Sequence, residues 1–200
     1  MKPTAALDVS GLPEFAFGHR SLLWWGTICL MAIEGTAFAL TIMEYMYLKG
    51  RVPHWPPGFA APRLLWGTTN LIIILASTLP NQLAKNAAER FDVRGVQIWM
   101  VVCMAFALAF NVVRAFEFTG LNVWWDSNAY GSVVWFLLGM HTVHVMTDFA
   151  DSLVLTVLFF TGPIDEHRFA DISENAMYWY FVVLAWIPIY AVIYLAPRVF

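Results

Sequence analysis

Charged side chains are scarce in this sequence of 200 residues. Asp, Glu, Lys and Arg make up 12% of the chain, against roughly 25% in soluble globular domains. The 11 Lys and Arg side chains nearly balance the 14 Asp and Glu side chains, which leaves a formal net charge of −3, and no stretch concentrates basic residues. A chain without a basic patch lacks the means to bind a phosphate backbone, so we expect no nucleic-acid partner.

The sequence also lacks the short patterns that accompany common catalytic and redox sites. It contains no Gly-rich phosphate loop, no C-x-x-C pair, no C-x-x-C-H haem attachment and no nucleophile elbow. Its two cysteines, Cys29 and Cys103, lie inside apolar runs and behave there as small hydrophobic residues, so we infer no disulfide. We therefore predict no catalytic, cofactor-binding or metal-binding residue in this chain.

Apolar residues are abundant instead. They make up 60% of the chain, aromatic residues make up 16%, and the mean hydropathy is +0.64. Five apolar runs each have the roughly 20 residues that cross a bilayer as a helix. We predict an all-α integral membrane protein, a bundle of five transmembrane helices (21–200) preceded by a tail (1–20) without the features of a signal peptide. The predicted spans are residues 24–48, 64–83, 96–116, 132–160 and 176–195.

Basic residues are unequally divided between the two sides of this predicted bundle. The tail and the loops after the second and fourth spans hold six of them, and the opposite side holds four. Because Lys and Arg favour the cytoplasmic side, we predict a cytoplasmic amino terminus and, with five spans, a carboxyl terminus outside. The six are Lys2, Arg20, Lys85, Arg90, Arg94 and Arg168; the four are Lys49, Arg51, Arg63 and Arg198.

The fourth span carries one polar face. On a helix, His141, His144, Asp148 and Asp151 fall within an arc of about 100°. An ionisable side chain near the bilayer centre costs about 2.5–3.5 kcal/mol, so this face should point at protein. We favour an internal hydrogen-bonded seam that fixes helix packing. A metal or haem site, which would make the chain a membrane enzyme, and a proton path through a small transporter or channel are the alternatives.

Two other spans contribute ionisable groups. Glu34 lies near the middle of the first span, where a protonated carboxyl is cheaper than a charged one, and we expect it to contact His141 or His144. In the third span, Arg114 and Glu117 are three residues apart and can form an ion pair. Binding of an anionic lipid headgroup by Arg114 is the alternative.

Several of these stretches occur together in one known family. The resemblance is to the haem-copper oxidase subunit III family, in its short five-helix bacterial form. Its Y-G-S and G-F-H-G-L-H-V signatures resemble residues 130–132 and 139–145, and its W-P-P-x-G loop resembles residues 55–58. Trp25-Gly26 with Glu34, the stretch 114–118 and the stretch 177–186 resemble three further motifs, in the family's order.

The resemblance implies an accessory, non-redox subunit of a respiratory terminal oxidase in the bacterial cytoplasmic membrane. Such a subunit packs beside subunit I, and subunit II, in a hetero-oligomer; haem and copper are expected in the partner, and none in this chain. It also implies bound phospholipid in a cleft, support for proton uptake, and an internal contact among Glu34, His141 and His144. A subunit III-like protein of a nitric oxide reductase or a quinol oxidase is the alternative within this superfamily.

The chain departs from the family's pattern on its last two spans. The family's His and Asp on the last span are replaced here by Tyr180 and Val183, while Asp148 and Asp151 occupy positions that are usually small or apolar. Our hypothesis is that the carboxylates on the fourth span replace the polar groups lost from the fifth.

Overall fold

The computed structural model describes residues 16–199, which are helical with no strand in that range. The all-α class predicted from the sequence is confirmed. Residues 1–15 of the predicted tail lie outside the described part, and Gly18–Arg20 form one 3-10 turn. The helices are α1 (Leu22–Lys49), α2 (Leu64–Ala76), α3 (Thr78–Glu89), α4 (Val93–Thr119), α5 (Ala129–Thr161) and α6 (Glu166–Tyr190), continued by a π-helical turn (Ala191–Leu195) and α7 (Ala196–Val199).

Four segments in the described part of the chain are long and apolar enough to cross a membrane. They are α1, α4, α5 and the continuous run Glu166–Val199. Each of these segments begins before the start that was predicted from its apolar run, because the polar residues that cap a helix are not part of the apolar run. The side chains of Ser21, Asp92 and Asn128 accept backbone N–H groups from the first turns of α1, α4 and α5. The last span begins at Glu166 rather than at residue 176, because its first turns are polar.

The second predicted span differs most from the structure. It is divided at Ser77 into α2 and α3, of 13 and 12 residues, and α3 continues beyond the predicted end to Glu89. The Ser77 hydroxyl donates to the Ile74 carbonyl (2.7 Å) and accepts the indole N–H of Trp179 (2.9 Å). Pro80 lies in the first turn of α3, where a missing backbone N–H is tolerated. Two shorter helices in series therefore replace one continuous span.

Buried residues are unevenly distributed among the long helices. Helix α5 packs against α1, α4 and α6, and its residues from Tyr130 to Phe159 contribute to both apolar clusters of the bundle. Helix α1 is peripheral, with Phe38, Thr41 and Tyr45 as its only buried residues. Because no residue before Phe38 is buried, the first half of α1 stands away from α5 and α6. This separation opens a cleft on that side of the bundle.

Two glycines of α5 allow a matched test of this packing. A Cβ at Gly131 would lie 2.2 Å from the backbone oxygen of Trp124 and 2.9 Å from Val123, whereas a Cβ at Gly139 would meet nothing within 4 Å. We expect Gly131→Ala to lower the free energy of unfolding by about 1–3 kcal/mol, because backbone cannot yield as a flexible side chain can.

Gly139→Ala is the control and should be neutral or stabilising by about 0.5–1 kcal/mol, since alanine favours a helix over glycine. Thermal unfolding of both variants, purified in the same detergent, measures the difference. Equal unfolding midpoints would contradict the close approach of the 123–124 loop to α5.

Candidate functional site

A buried ion pair lies near the end of α4, between the middle of α2 and the π-helical turn. Arg114 and Glu117 are each only 1% exposed, and Arg114 Nη1 lies 3.2 Å from Glu117 Oε2. The carboxylate also accepts two hydrogen bonds, from Asn70 Nδ2 to Oε2 (2.6 Å) and from the Tyr194 hydroxyl to Oε1 (2.5 Å). Charge-assisted hydrogen bonds of this kind offset the cost of burying the carboxylate. The spacing of three residues on α4 thus produces the ion pair and leaves Arg114 with no lipid-facing surface.

His141 extends this network to α5 and α6. Arg114 Nη2 lies 3.1 Å from His141 Nδ1, and because a guanidinium can only donate, Nδ1 must accept. His141 Nε2 therefore carries the proton and donates to the Val182 carbonyl (3.1 Å). The guanidinium also lies over the rings of Trp186 (4.0 Å) and Phe110 (4.7 Å). We define the buried network as Arg114, Glu117, Asn70, Tyr194 and His141, which joins α2, α4, α5 and the last span.

Glu34 belongs to a second, separate contact. Its Oε1 lies 3.5 Å from His144 Nε2, and its Oε2 accepts the Tyr178 hydroxyl at 2.8 Å. His144 Nδ1 lies 2.6 Å from the Met140 carbonyl, which only accepts, so Nδ1 carries a hydrogen. This contact joins α1 to α5 and α6.

The predicted polar face of α5 thus serves two different contacts. His141 points toward α4 and α6, and His144 toward α1. Of the two expected partners of Glu34, the structure brings together His144 and not His141. The two histidines are three residues apart, so they lie on adjacent parts of the helix surface but face different neighbours. One continuous seam through all four polar residues is not present.

Asp148 and Asp151 lie further along α5, away from the buried network. Asp148 is 4% exposed, and its Oδ1 has no hydrogen-bond partner in the described part of the chain. Asp151 is exposed, and its Oδ2 accepts Asn175 Nδ2 at 3.1 Å. The amide oxygen of Asn175 accepts the Ser152 hydroxyl at 3.1 Å. The two carboxylates therefore face α6 at the level of Asn175.

A cleft of about 600 Å³ separates the first half of α1 from α5 and α6. Five carboxyl groups line it, together with apolar and small polar residues, and no Lys or Arg is among its lining residues. We call it the acidic cleft. Its carboxyl groups belong to Glu34, Asp148, Asp151, Asp171 and Glu174, and its other lining residues are Leu23, Thr27, Leu30, Thr147, Leu155, Asn175 and Tyr178.

The acidic cleft does not form a metal centre. Within residues 16–199, no three His, Cys, Asp or Glu side chains come together in a group that could hold a metal ion. The arrangement gives no support to the alternative of a membrane enzyme with a metal on the fourth predicted span.

Sequence analysis did not identify three partners of these groups. Asn70 and Tyr194 bind Glu117, and Tyr178 binds Glu34. Asn70 carried a usable signal, because an amide inside an apolar span needs a partner. The tyrosines carried none, since tyrosine is common at membrane interfaces for its ring alone.

The ion pair predicts an asymmetric response to substitution. Arg114→Met removes the cation and leaves Glu117 buried without its charge partner, so we expect the free energy of unfolding to fall by about 3–5 kcal/mol. Arg114→Met combined with Glu117→Leu removes both charges and should recover part of that loss. Thermal unfolding in detergent provides the measurement. A double variant that is no more stable than the single one would show that the buried charge is not the source of the cost.

The hydroxyl of Tyr178 gives a second test with a matched control. Tyr178→Phe leaves Glu34 without its donor inside the membrane, and we expect a loss of about 1–2 kcal/mol in the free energy of unfolding. The hydroxyl of Tyr180, two residues away, donates to Gln82 at an exposed position, so Tyr180→Phe should cost at most about 0.5 kcal/mol. Equal losses in the two variants would argue against a stabilising contribution from the hydrogen bond between Tyr178 and Glu34.

Comparison with known proteins places these features in one family. The family model for cytochrome c oxidase subunit III matches residues 54–197. A probable cytochrome c oxidase subunit 3 of Mycobacterium tuberculosis is 30% identical, covering 96% of this chain and 98% of its own. The subunits 3 of Synechocystis (26% identical; 89% and 77% covered) and Thermostichus vulcanus (23%; 92% and 92%) are also similar. The resemblance noted in the sequence is thereby confirmed, and the chain belongs to the cytochrome c oxidase subunit III family.

Proposed function

We propose that this accessory subunit of a haem-copper oxidase acts as a rigid membrane scaffold that packs against the catalytic subunit I, and against subunit II, without taking part in electron transfer. Membership of the family makes it a multi-pass membrane protein in a complex with other oxidase subunits. The observation that carries the scaffold role is the closure of the buried network. Arg114, Glu117 and His141 are at most 1% exposed and are joined by an ion pair and a hydrogen bond. Groups so enclosed hold helices together.

The Glu34–His144 pair supports a related role for the other side of the bundle. Glu34 lies 3.5 Å from His144 and accepts the Tyr178 hydroxyl, so it joins α1 to α5 and α6. We propose that support for proton uptake by the complex is indirect, through the stability of this contact. The bacterial cytoplasmic membrane and a cytoplasmic amino terminus are part of the proposal, and the acidic cleft then opens toward the cytoplasm.

Bound phospholipid fits a different recess from the acidic cleft. A phospholipid carries an anionic phosphate, which five carboxyl groups would repel. A recess of about 400 Å³ at the opposite end of α4 and α5 has no charged lining residue. Aromatic and amide side chains of this kind suit the glycerol and upper acyl region of a lipid. We propose this recess as the lipid site; it is lined by Phe59, Phe118, Thr119, Asn122, Val123, Trp124 and Trp135.

Gentle purification from the native membrane tests the scaffold role. The chain should travel with a large haem- and copper-bearing subunit, and a reduced-minus-oxidised visible spectrum should assign all absorbance to that partner. The haem bands would also separate a cytochrome c oxidase from a quinol oxidase or a nitric oxide reductase. A chain that comes through alone with a stoichiometric metal would overturn the proposal.

A further inference from the structure

The buried ion pair contains a cation and an anion, whereas the residues that line the acidic cleft include anionic groups and no Lys or Arg. Arg114 has Glu117 beside it at 3.2 Å. The acidic cleft has five carboxyl groups and no Lys or Arg among its lining residues. Charged groups within membrane spans pair with one another or with backbone, or face water. In the described part of the chain, His144 lies 3.5 Å from Glu34, Lys85 interacts electrostatically with Glu174, and His167 and Arg168 do so with Asp171. No described Lys or Arg forms an ion pair with Asp148 or Asp151, so these two carboxyl groups are the place where a cation from a neighbouring chain would bind.

Asp148 is a buried carboxyl group of the cleft that lacks, in the described part of the chain, a hydrogen-bond partner at one oxygen. Its side chain is 4% exposed, yet its Oδ1 has no hydrogen-bond partner among the described residues. Glu174, on the facing helix, is 5% exposed, and its Oε2 is likewise unpartnered. A buried polar atom without a partner costs about 1–3 kcal/mol, and more when charged. Both residues line the α5 and α6 side of the same cleft, so a donor that enters the cleft from the α1 side would supply the hydrogen bonds that these atoms lack.

The shape of the cleft bears on what this donor can be. Asp171 and Glu174 lie five and eight residues from the start of α6. Asp148 lies 13 residues from the end of α5, which is about 20 Å along the helix axis. A lipid amine headgroup and a Lys or Arg side chain of a transmembrane helix are the two sources of a cation inside a membrane. The long apolar stem of Lys or Arg crosses hydrocarbon, and the cross-linking experiment below separates the two sources.

The walls of the cleft match a helix with one basic side chain. The α1 wall presents Leu23, Leu30 and Thr27, with no residue of α1 buried before Phe38. The α5 and α6 walls present the carboxyl groups. An apolar helix lying along α1 would therefore meet leucine on one side and acid on the other. A helix that is apolar except for one Lys or Arg would fit these surfaces, because its apolar side would contact the leucines and its cation would face the carboxyl groups.

We infer that the acidic cleft receives a Lys or Arg side chain from a transmembrane helix of another subunit of the complex, with the cation bound between Asp148, Asp151 and Glu174. This inference rests on the proposed function, which supplies an assembled complex. It identifies the interface that holds the partner helix, and it gives Asp148 and Asp151 a role outside the chain's own packing. The alternative is that the carboxyl groups are protonated and need no cation. It predicts that replacing Asp148 and Asp151 by Asn has no effect.

Cross-linking inside the intact complex identifies the occupant. Thr147 lines the cleft and is exposed, so a photoreactive amino acid there should report what lies beside Asp148 and Asp151. After irradiation of native membranes and mass spectrometry, we expect adducts to a transmembrane segment of another subunit that carries Lys or Arg at the same depth. Adducts to lipid alone, to a segment without Lys or Arg, or to nothing would overturn the inference.

Neutral variants test the charge itself. Asparagine has the shape of a protonated aspartic acid, so Asp148→Asn combined with Asp151→Asn should leave a neutral site unchanged and disrupt an ionic one. We expect this chain to dissociate from the detergent-solubilised complex about 30-fold faster or more, because one side of a buried charge pair is lost. Asp126→Asn, in the exposed loop before α5, is the matched control and should dissociate at the wild-type rate.

The outcomes separate this inference from the proposed function. If the double variant and the wild type dissociate equally slowly from haem- and copper-bearing subunits, the cation site is wrong and the accessory role stands. If the wild-type chain does not associate with such subunits at all, the proposed function fails before the cleft is tested. The Asp126→Asn control shows that a faster rate in the double variant reflects the cleft and not the loss of any surface charge.

Discussion

The buried ion pair of Arg114 and Glu117 is the constraint on which the rest of the bundle depends. Two charges removed from both water and lipid have a large desolvation cost, and their attraction alone repays it only with good geometry and further hydrogen bonds. Asn70 and Tyr194 supply those bonds to the carboxylate, and His141 receives one from the guanidinium. These groups come from different helices, so α2, α4, α5 and the last span must pack at one relative depth and rotation.

Closure of that network leaves the opposite side of α5 free to do something else. Glu34 contacts His144 and Tyr178 at a joint between α1 and the rest of the bundle, and beyond this joint α1 separates from the bundle. Carboxyl groups then line the gap, and no Lys or Arg is among its lining residues. The same helix thus carries an internal face that contacts the buried ion pair and an open face that lines the acidic cleft. For a subunit of a larger complex, the internal face stabilises its own fold and the open face is available to a neighbour.

The sequence predicted those features that depend on spacing along one helix. Long apolar runs predicted the all-helical membrane fold, and the three-residue spacing of Arg114 and Glu117 predicted their pairing geometry, now seen at 3.2 Å. Contacts across helices were harder, because they depend on helix rotation and crossing, which hydropathy does not encode. Tyr178 reaching Glu34, and Ser77 dividing the second span while accepting from Trp179, are of this kind. Hydropathy also placed the starts of the spans too late, because the residues that cap these helices are polar.

The departures of this chain from its family acquire a physical meaning from these positions. Val183 is buried at 3% exposure, one residue beyond the Val182 carbonyl that accepts His141, so its side chain packs in the core without a polar partner. Asp148 and Asp151 face Asn175 and the acidic cleft, two helical turns of α6 away from Val183. They do not refill the place of the missing groups. A carboxylate in an open cleft does not stabilise this chain by itself, as a polar group in the closed core of the last span would. A cation on a neighbouring helix would make the carboxylates at 148 and 151 favourable.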